Sequence, residues 1–123
     1  MIGAIIGDIV GSRFEFGAAP QQGFELFTPD CSYTDDTICT IAIADAVLNE
    51  RDYQESLLDW CRRYPDPMGG YGRRFYQWIN SDNPQPTDSF GNGSAMRVSP
   101  IGWLFDEWED VIEEAKKSAI VSH

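Results

Sequence analysis

Apolar residues recur along most of this chain at intervals of three and four, the repeat of a helix rather than the alternation of a strand. In residues 1–16, Ile2, Ile5, Ile6, Ile9 and Val10 cover one side while Gly3, Gly7 and Gly11 share an adjoining face. Glycine costs up to ~1 kcal/mol relative to alanine inside a helix, so the pattern predicts a helix that a neighbour approaches closely and supports by packing. Asp8, Ser12 and Glu15 form a separate polar stripe at i, i+4 and i+7, either a solvent face or the lining of a cleft. Residues 17–33 lack a sustained period and read as a loop. From 35 to 49 the pattern is helical but apolar on nearly every side, which predicts a central helix with Asp45 as a buried polar group.

A third helix follows, with Asp52 as its cap, Glu55 answering from N3 and Pro65 as its stop. "PDPMGG" reads as a turn, and Tyr71, Phe75, Trp78 and Ile79 give a short fourth helix. A polar loop over 81–94 leads to "AMRVSPIGWLF", where Pro100 must kink a helix or divide two. The last segment places acids in its first turns and Lys116 and Lys117 near its end, as a helix dipole favours. With no alternating strand pattern, the expected class is all-α, in a single domain spanning 1–123.

Composition narrows the function. Nine basic residues against 20 acidic ones give a formal charge of −11, which disfavours nucleic acid or anionic lipid bound through a basic surface. An anion that binds here must be attracted by something local. No apolar run approaches the ~20 residues of a membrane span, and the opening residues lack the positive flank of a signal peptide. A cytoplasmic location is the expectation. Cys31, Cys39 and Cys61 show no CxxC spacing and read as reduced thiols.

Three groups of residues carry candidate chemistry. In "YTDDT", Thr34, Asp35, Asp36 and Thr37 run straight into the apolar helix. One reading is capping, with Ser32 or Thr34 as N-cap and each aspartate stabilised by ~0.3–1 kcal/mol from the helix dipole. The other is a hard-cation site, because adjacent carboxylates sunk in the fold repel unless a cation such as Mg²⁺, Mn²⁺ or Ca²⁺ neutralises them. In "DSFGNGSAMR", Gly91 and Gly93 either permit positive φ in a turn with Ser94 capping the next helix, or expose backbone N–H groups to a phosphate, with Arg97 adding charge. Asp8, Glu15 and His123 complete the set, though a solvated stripe and a chain-end histidine are the commoner explanations of each. Phe14, Phe16, Phe90 and Trp103 are more often core than ligand-stacking groups.

Taken together and in order, "GAIIGDIVGSRFE", "YTDDT", "GNGSAMRVSPIGW" and "SAIVSH" resemble the amino-terminal part of the ADP-ribosylglycohydrolase family. The resemblance implies a compact, orthogonal all-α fold with a binuclear Mg²⁺ or Mn²⁺ centre. It implies hydrolysis of the glycosidic bond joining ADP-ribose to a protein side chain or another acceptor. Carried over by motif, Thr34, Asp35 and Asp36 match metal ligands, and Glu15 matches the glutamate near the scissile ribose, which with Asp35 and Asp36 gives the catalytic set. Ser89, Phe90, Gly91, Asn92 and Gly93 match the loop holding diphosphate and ribose, and His123 matches a ligand-contacting histidine. The family's second acidic stretch, D-x-D-T in type, has no counterpart in these residues. The resemblance therefore implies a fold incomplete at its carboxy end, with half a metal shell and metal weakly held or absent. Two further expectations follow: a catalytically inactive truncated relative acting as a binding or structural module, or a homo-oligomer or separate carboxy-terminal half completing the site.

Overall fold

A computed structural model describes all 123 residues, and its named elements are all helices, joined by long loops over 15–34 and 80–92. The elements are α1 (Ile2–Gly11), a single 3₁₀ turn (Ser12–Phe14), α2 (Asp35–Leu48), α3 (Tyr53–Arg63), α4 (Arg73–Ile79), α5 (Gly93–Met96), α6 (Ile101–Leu104) and α7 (Trp108–Ile120). The only β-type pairing is an isolated parallel bridge between Thr34 and Met68. The all-α expectation holds.

Helix α2 is the hub. Ile38, Cys39, Ala42 and Ile43 are buried along it and meet Leu57 and Cys61 of α3, Trp78 and Ile79 of α4 and Ile101 of α6. The all-round apolar character of α2 follows from this position, since α1, α3, α5 and α6 all pack on it. Asp45 is only half-buried, and it has partners: it accepts hydrogen bonds from Trp60 Nε1 at 2.9 Å and Asn49 Nδ2 at 2.7 Å and pairs with Arg51. These contacts, with the Trp60 bond foremost, hold its carboxyl below the usual range. Helix α3 starts as its sequence dictates, with Asp52 Oδ1 accepting from the Glu55 backbone N–H at 3.0 Å. Pro100 divides rather than kinks: it stands as the N-cap of α6, four residues after α5 ends.

Helix α1 departs from expectation. It buries no residue, and Ile2 and Ile6 are 69% and 46% exposed. A Cβ added at Gly3, Gly7 or Gly11 would meet nothing within 4 Å. The glycines do not admit a neighbouring helix. Gly7 and Gly11 instead form part of the wall of an open cleft, where a side chain would fill the space.

Candidate functional site

The start of α2 is built by Asp8. Its carboxylate accepts from the Thr34 backbone N–H at 2.9 Å, the Thr34 hydroxyl at 2.6 Å, the Thr37 backbone N–H at 3.2 Å and the Thr37 hydroxyl at 2.5 Å. A carboxylate from another helix thus satisfies two backbone donors at the positive end of the α2 dipole. Thr34 is the N-cap, in extended backbone with φ −111°, and its hydroxyl oxygen accepts from the Asp36 N–H at 3.2 Å. The stripe at 8, 12 and 15 accordingly lines a cleft: Asp8 and Glu15 face Thr34 and Asp36 across it.

Adjacent aspartates on a helix point about 100° apart, and here the two enter different clefts. Asp36 joins Asp8, Ser12, Glu15 and Thr34 in a cleft of about 400 Å³. Asp35 opens into a second, of about 330 Å³, together with Arg73, Arg74, Arg97, His123 and the 89–93 loop. Met96 touches both, so the α2 start and α5 are the partition between them. Each volume lies at the lower end of the roughly 300–1,000 Å³ typical of small-molecule sites.

The electrostatics of the two sides are opposite. Neither Asp35 nor Asp36 accepts a side-chain hydrogen bond from another residue, and burial together with the neighbouring carboxylates Asp36, Glu15 and Asp8 pushes Asp35 up from 3.8 to about 6. Asp36 is raised by burial and then by Asp8; Glu15 is raised by burial, then Asp36, then Asp8. Unpartnered, mutually repelling carboxylate oxygens are the donor chemistry of a hard divalent cation. Thr34 Oγ1 adds a neutral oxygen with one lone pair left after Asp36 N–H is served. No three His, Cys, Asp or Glu side chains gather closely enough to form a metal cage by themselves. The donor set therefore fits Mg²⁺ or Mn²⁺ in kind and is partial in number.

On the other side the cleft is cationic. Arg97 is 1% exposed, donates from Nη2 to Ser118 O and Ser122 Oγ at 2.9 Å each, and leaves Nε without an acceptor. Burial lowers its pKa, and it has no carboxylate partner. Arg73 and Arg74, exposed at the start of α4, add two more charges. Sequence reasoning missed this pair. The signal was an "RR" beginning a short helix in a chain with only nine basic residues.

Of the loop residues, Ser89, Gly91, Asn92 and Gly93 line the cationic cleft with His123. Phe90 does not: its ring stands free in solvent, at 103% exposure. Gly91 and Gly93 also do not take positive φ, a conformation confined among the glycines to Gly23, Gly69 and Gly70. Space around them is tight instead. A Cβ at Gly91 would lie 3.3 Å from Ser89 Oγ, and one at Gly93 would lie 3.3 Å from the His123 ring. Asn92 rather than Ser94 occupies the cap position of α5, its carbonyl accepting from both Ala95 and Met96 N–H at 2.9 Å. Gly69 is a second missed residue. At φ +81° it lies against Glu15, where a Cβ would stand 2.9 Å from Oε2.

Comparison with known proteins bears on this geometry. A sequence model of the ADP-ribosylglycohydrolase family matches residues 1–123. Curated relatives include proteins named ADP-ribosylhydrolase ARH3 from Xenopus tropicalis, Mus musculus and Homo sapiens, which are 28%, 29% and 27% identical. Each alignment covers 100% of this chain and 42–43% of the relative. The chain thus spans less than half the length of the curated proteins it matches.

Proposed function

The chain belongs to the ADP-ribosylglycohydrolase family, and from that premise we propose that its two clefts are the amino-terminal share of a site that hydrolyses the glycosidic bond between ADP-ribose and an acceptor. The supporting observation is the division at the start of α2. Asp35 and Asp36, adjacent in sequence, open into a cationic cleft on one side and a carboxylate cleft on the other. A diphosphate and a ribose at the scissile bond require those two environments side by side.

In this reading Arg73, Arg74 and Arg97 offset the charge of the diphosphate, so a chain of net charge −11 holds an anion through a local field. The N–H groups of the 92–94 backbone supply short-range donors, the Gly91 N–H being taken by Ser89 Oγ, and the side-chain-free Gly91 and Gly93 let the ligand approach. Across the partition, Glu15 faces the anomeric carbon. Its raised pKa suits a group that takes a proton from water, and its charge stabilises the oxocarbenium character that develops as the bond breaks. Thr34, Asp35 and Asp36 would hold Mg²⁺ or Mn²⁺, which when bound supplies Lewis-acid orientation of ribose hydroxyls and offsets the crowded carboxylates. Asp8, its oxygens taken up by four donors, fixes the backbone from which both aspartates project.

Calorimetry tests the binding half and release of free ADP-ribose from a modified peptide tests the hydrolytic half. ADP-ribose is expected to bind this chain saturably, with Mg²⁺ strengthening the interaction and the double variant Asp35→Ala, Asp36→Ala losing that enhancement. Hydrolysis is expected to disappear in the same variant. Binding or turnover that the double variant leaves unchanged would remove both aspartates from the mechanism. Absence of any ADP-ribose binding would leave a structural module of the family fold.

A further inference from the structure

The buried Arg97 has no carboxylate, yet it is not idle. Its Nη2 donates to Ser122 Oγ at 2.9 Å, and Ser122 Oγ lies 3.0 Å from His123 Nδ1. A serine hydroxyl has one proton to give and two lone pairs. Guanidinium only donates, so Arg97 occupies a lone pair and repels the hydroxyl proton toward the far side of the oxygen, where Nδ1 stands. Were Nδ1 itself protonated, it would take the second lone pair, and the Ser122 hydroxyl proton would have no acceptor. Ser122 is 2% exposed, and a buried donor left unpaired costs ~1–3 kcal/mol. The hydrogen-bond inventory thus selects one arrangement: Ser122 donates to Nδ1, and the imidazole proton sits on Nε2. That edge of the ring lies at the wall of the cationic cleft, 3.3–3.5 Å from where a Gly93 Cβ would be, and the Gly91 backbone beside the ring is the protein acceptor a bound ligand would share or displace.

We propose that Arg97 and Ser122 are positioning residues that lock His123 in the Nε2-protonated tautomer and so present a hydrogen-bond donor to an oxygen acceptor, phosphate or ribose, in the cleft. The identity of the acceptor rests on the functional reading above; the relay itself rests on geometry alone. It also gives a reason for a buried cation without a counter-ion. Arg97 joins the end of α7, through Ser118 O, to the orientation of a ring in the site.

The chain has a single histidine, so long-range ¹H–¹⁵N spectra of the uniformly labelled protein report its tautomer without ambiguity. At about pH 8, above the ordinary histidine range, Nδ1 is expected in the unprotonated range and Nε2 in the protonated range. Ser122→Ala should convert this to a mixture of tautomers while the rest of the spectrum persists, and Ser122→Thr should restore the single form. ADP-ribose affinity should fall about 3- to 10-fold in Ser122→Ala, the loss of one hydrogen bond, and recover in Ser122→Thr. Protonated Nδ1 in the parent chain, or a tautomer indifferent to Ser122→Ala, overturns the relay. Arg97→Lys, which keeps a donor, provides a second variant without a buried vacancy and should retain the tautomer. A locked tautomer in a chain that binds no ADP-ribose upholds the relay and refutes the functional reading instead.

Discussion

Replacing Asp35 with asparagine should make the metal-free protein more stable, although the change alters a helix's first turn, where a carboxylate normally helps. Asp35 stands at the first position of α2 with Asp36, Glu15 and Asp8 around it, and its pKa rises from 3.8 to about 6. At 1.36 kcal/mol per unit that shift corresponds to about 3 kcal/mol. The side chain is partly open to solvent, and screening reduces this to roughly 1–2 kcal/mol. Because the folded pKa lies above the unfolded one, the folded state holds the proton more tightly. The penalty is absent below about pH 3.8, grows between 3.8 and 6, and is complete above. The neutral amide would forgo ~0.3–1 kcal/mol of dipole stabilisation, which leaves a net gain of about 1 kcal/mol at neutral pH. Urea unfolding in the presence of chelator, at about pH 7.5 and about pH 4, measures it. Asp35→Asn should exceed the parent chain at the higher pH and match or fall below it at the lower. A variant no more stable than its parent at neutral pH would mean that Asp35 is relaxed in solvent. Nothing in the site would then call for a cation.

Two further substitutions probe the supports of the site. Asp8→Ala removes all four hydrogen bonds that tie α1 to the start of α2 and should cost roughly 2–4 kcal/mol; hydrogen exchange should accelerate at Thr34 and Thr37 far more than at Leu57 in α3, and uniform acceleration would contradict a local role. Gly69→Ala should cost about 1–2 kcal/mol, from a positive φ and a Cβ 2.9 Å from Glu15 Oε2; Glu15 must move, so any hydrolysis should fall with it, and a variant with parental stability and turnover would show that Glu15 is not seated there.

Periodicity made the helices legible because each is a local pattern. The buried face of α3 and the continuous apolar character of α2 can be read from spacing alone, and so can the caps at Thr34 and Asp52. What spacing does not give is the partner. Gly3, Gly7 and Gly11 share a face, and that face suits a close helix neighbour or an open cleft equally well; only the placement of α1 against the α2 start decides between them. The same holds for Asp8. On its own helix it is one polar residue in a stripe, and its four acceptor contacts come from residues 26 to 29 positions away.

In "YTDDT" the capping is visible in the structure, and it is compatible with the cation reading proposed above. Capping in this protein is carried by Thr34 and by Asp8 from outside the helix, with four donors for the Asp8 carboxylate. That arrangement leaves Asp35 and Asp36 without a donor from any other residue, although both are half-buried. Asp35 accepts only its own backbone N–H, which pulls its pKa down, yet burial and the neighbouring carboxylates outweigh that contact; Asp36 is raised by burial and Asp8. Thr34 and Asp8 serve the N–H groups of Asp36 and Thr37, the Asp35 N–H meets its own carboxyl, and burial beside other carboxylates still holds both aspartates above the usual range, a folding cost that the proposed cation would offset.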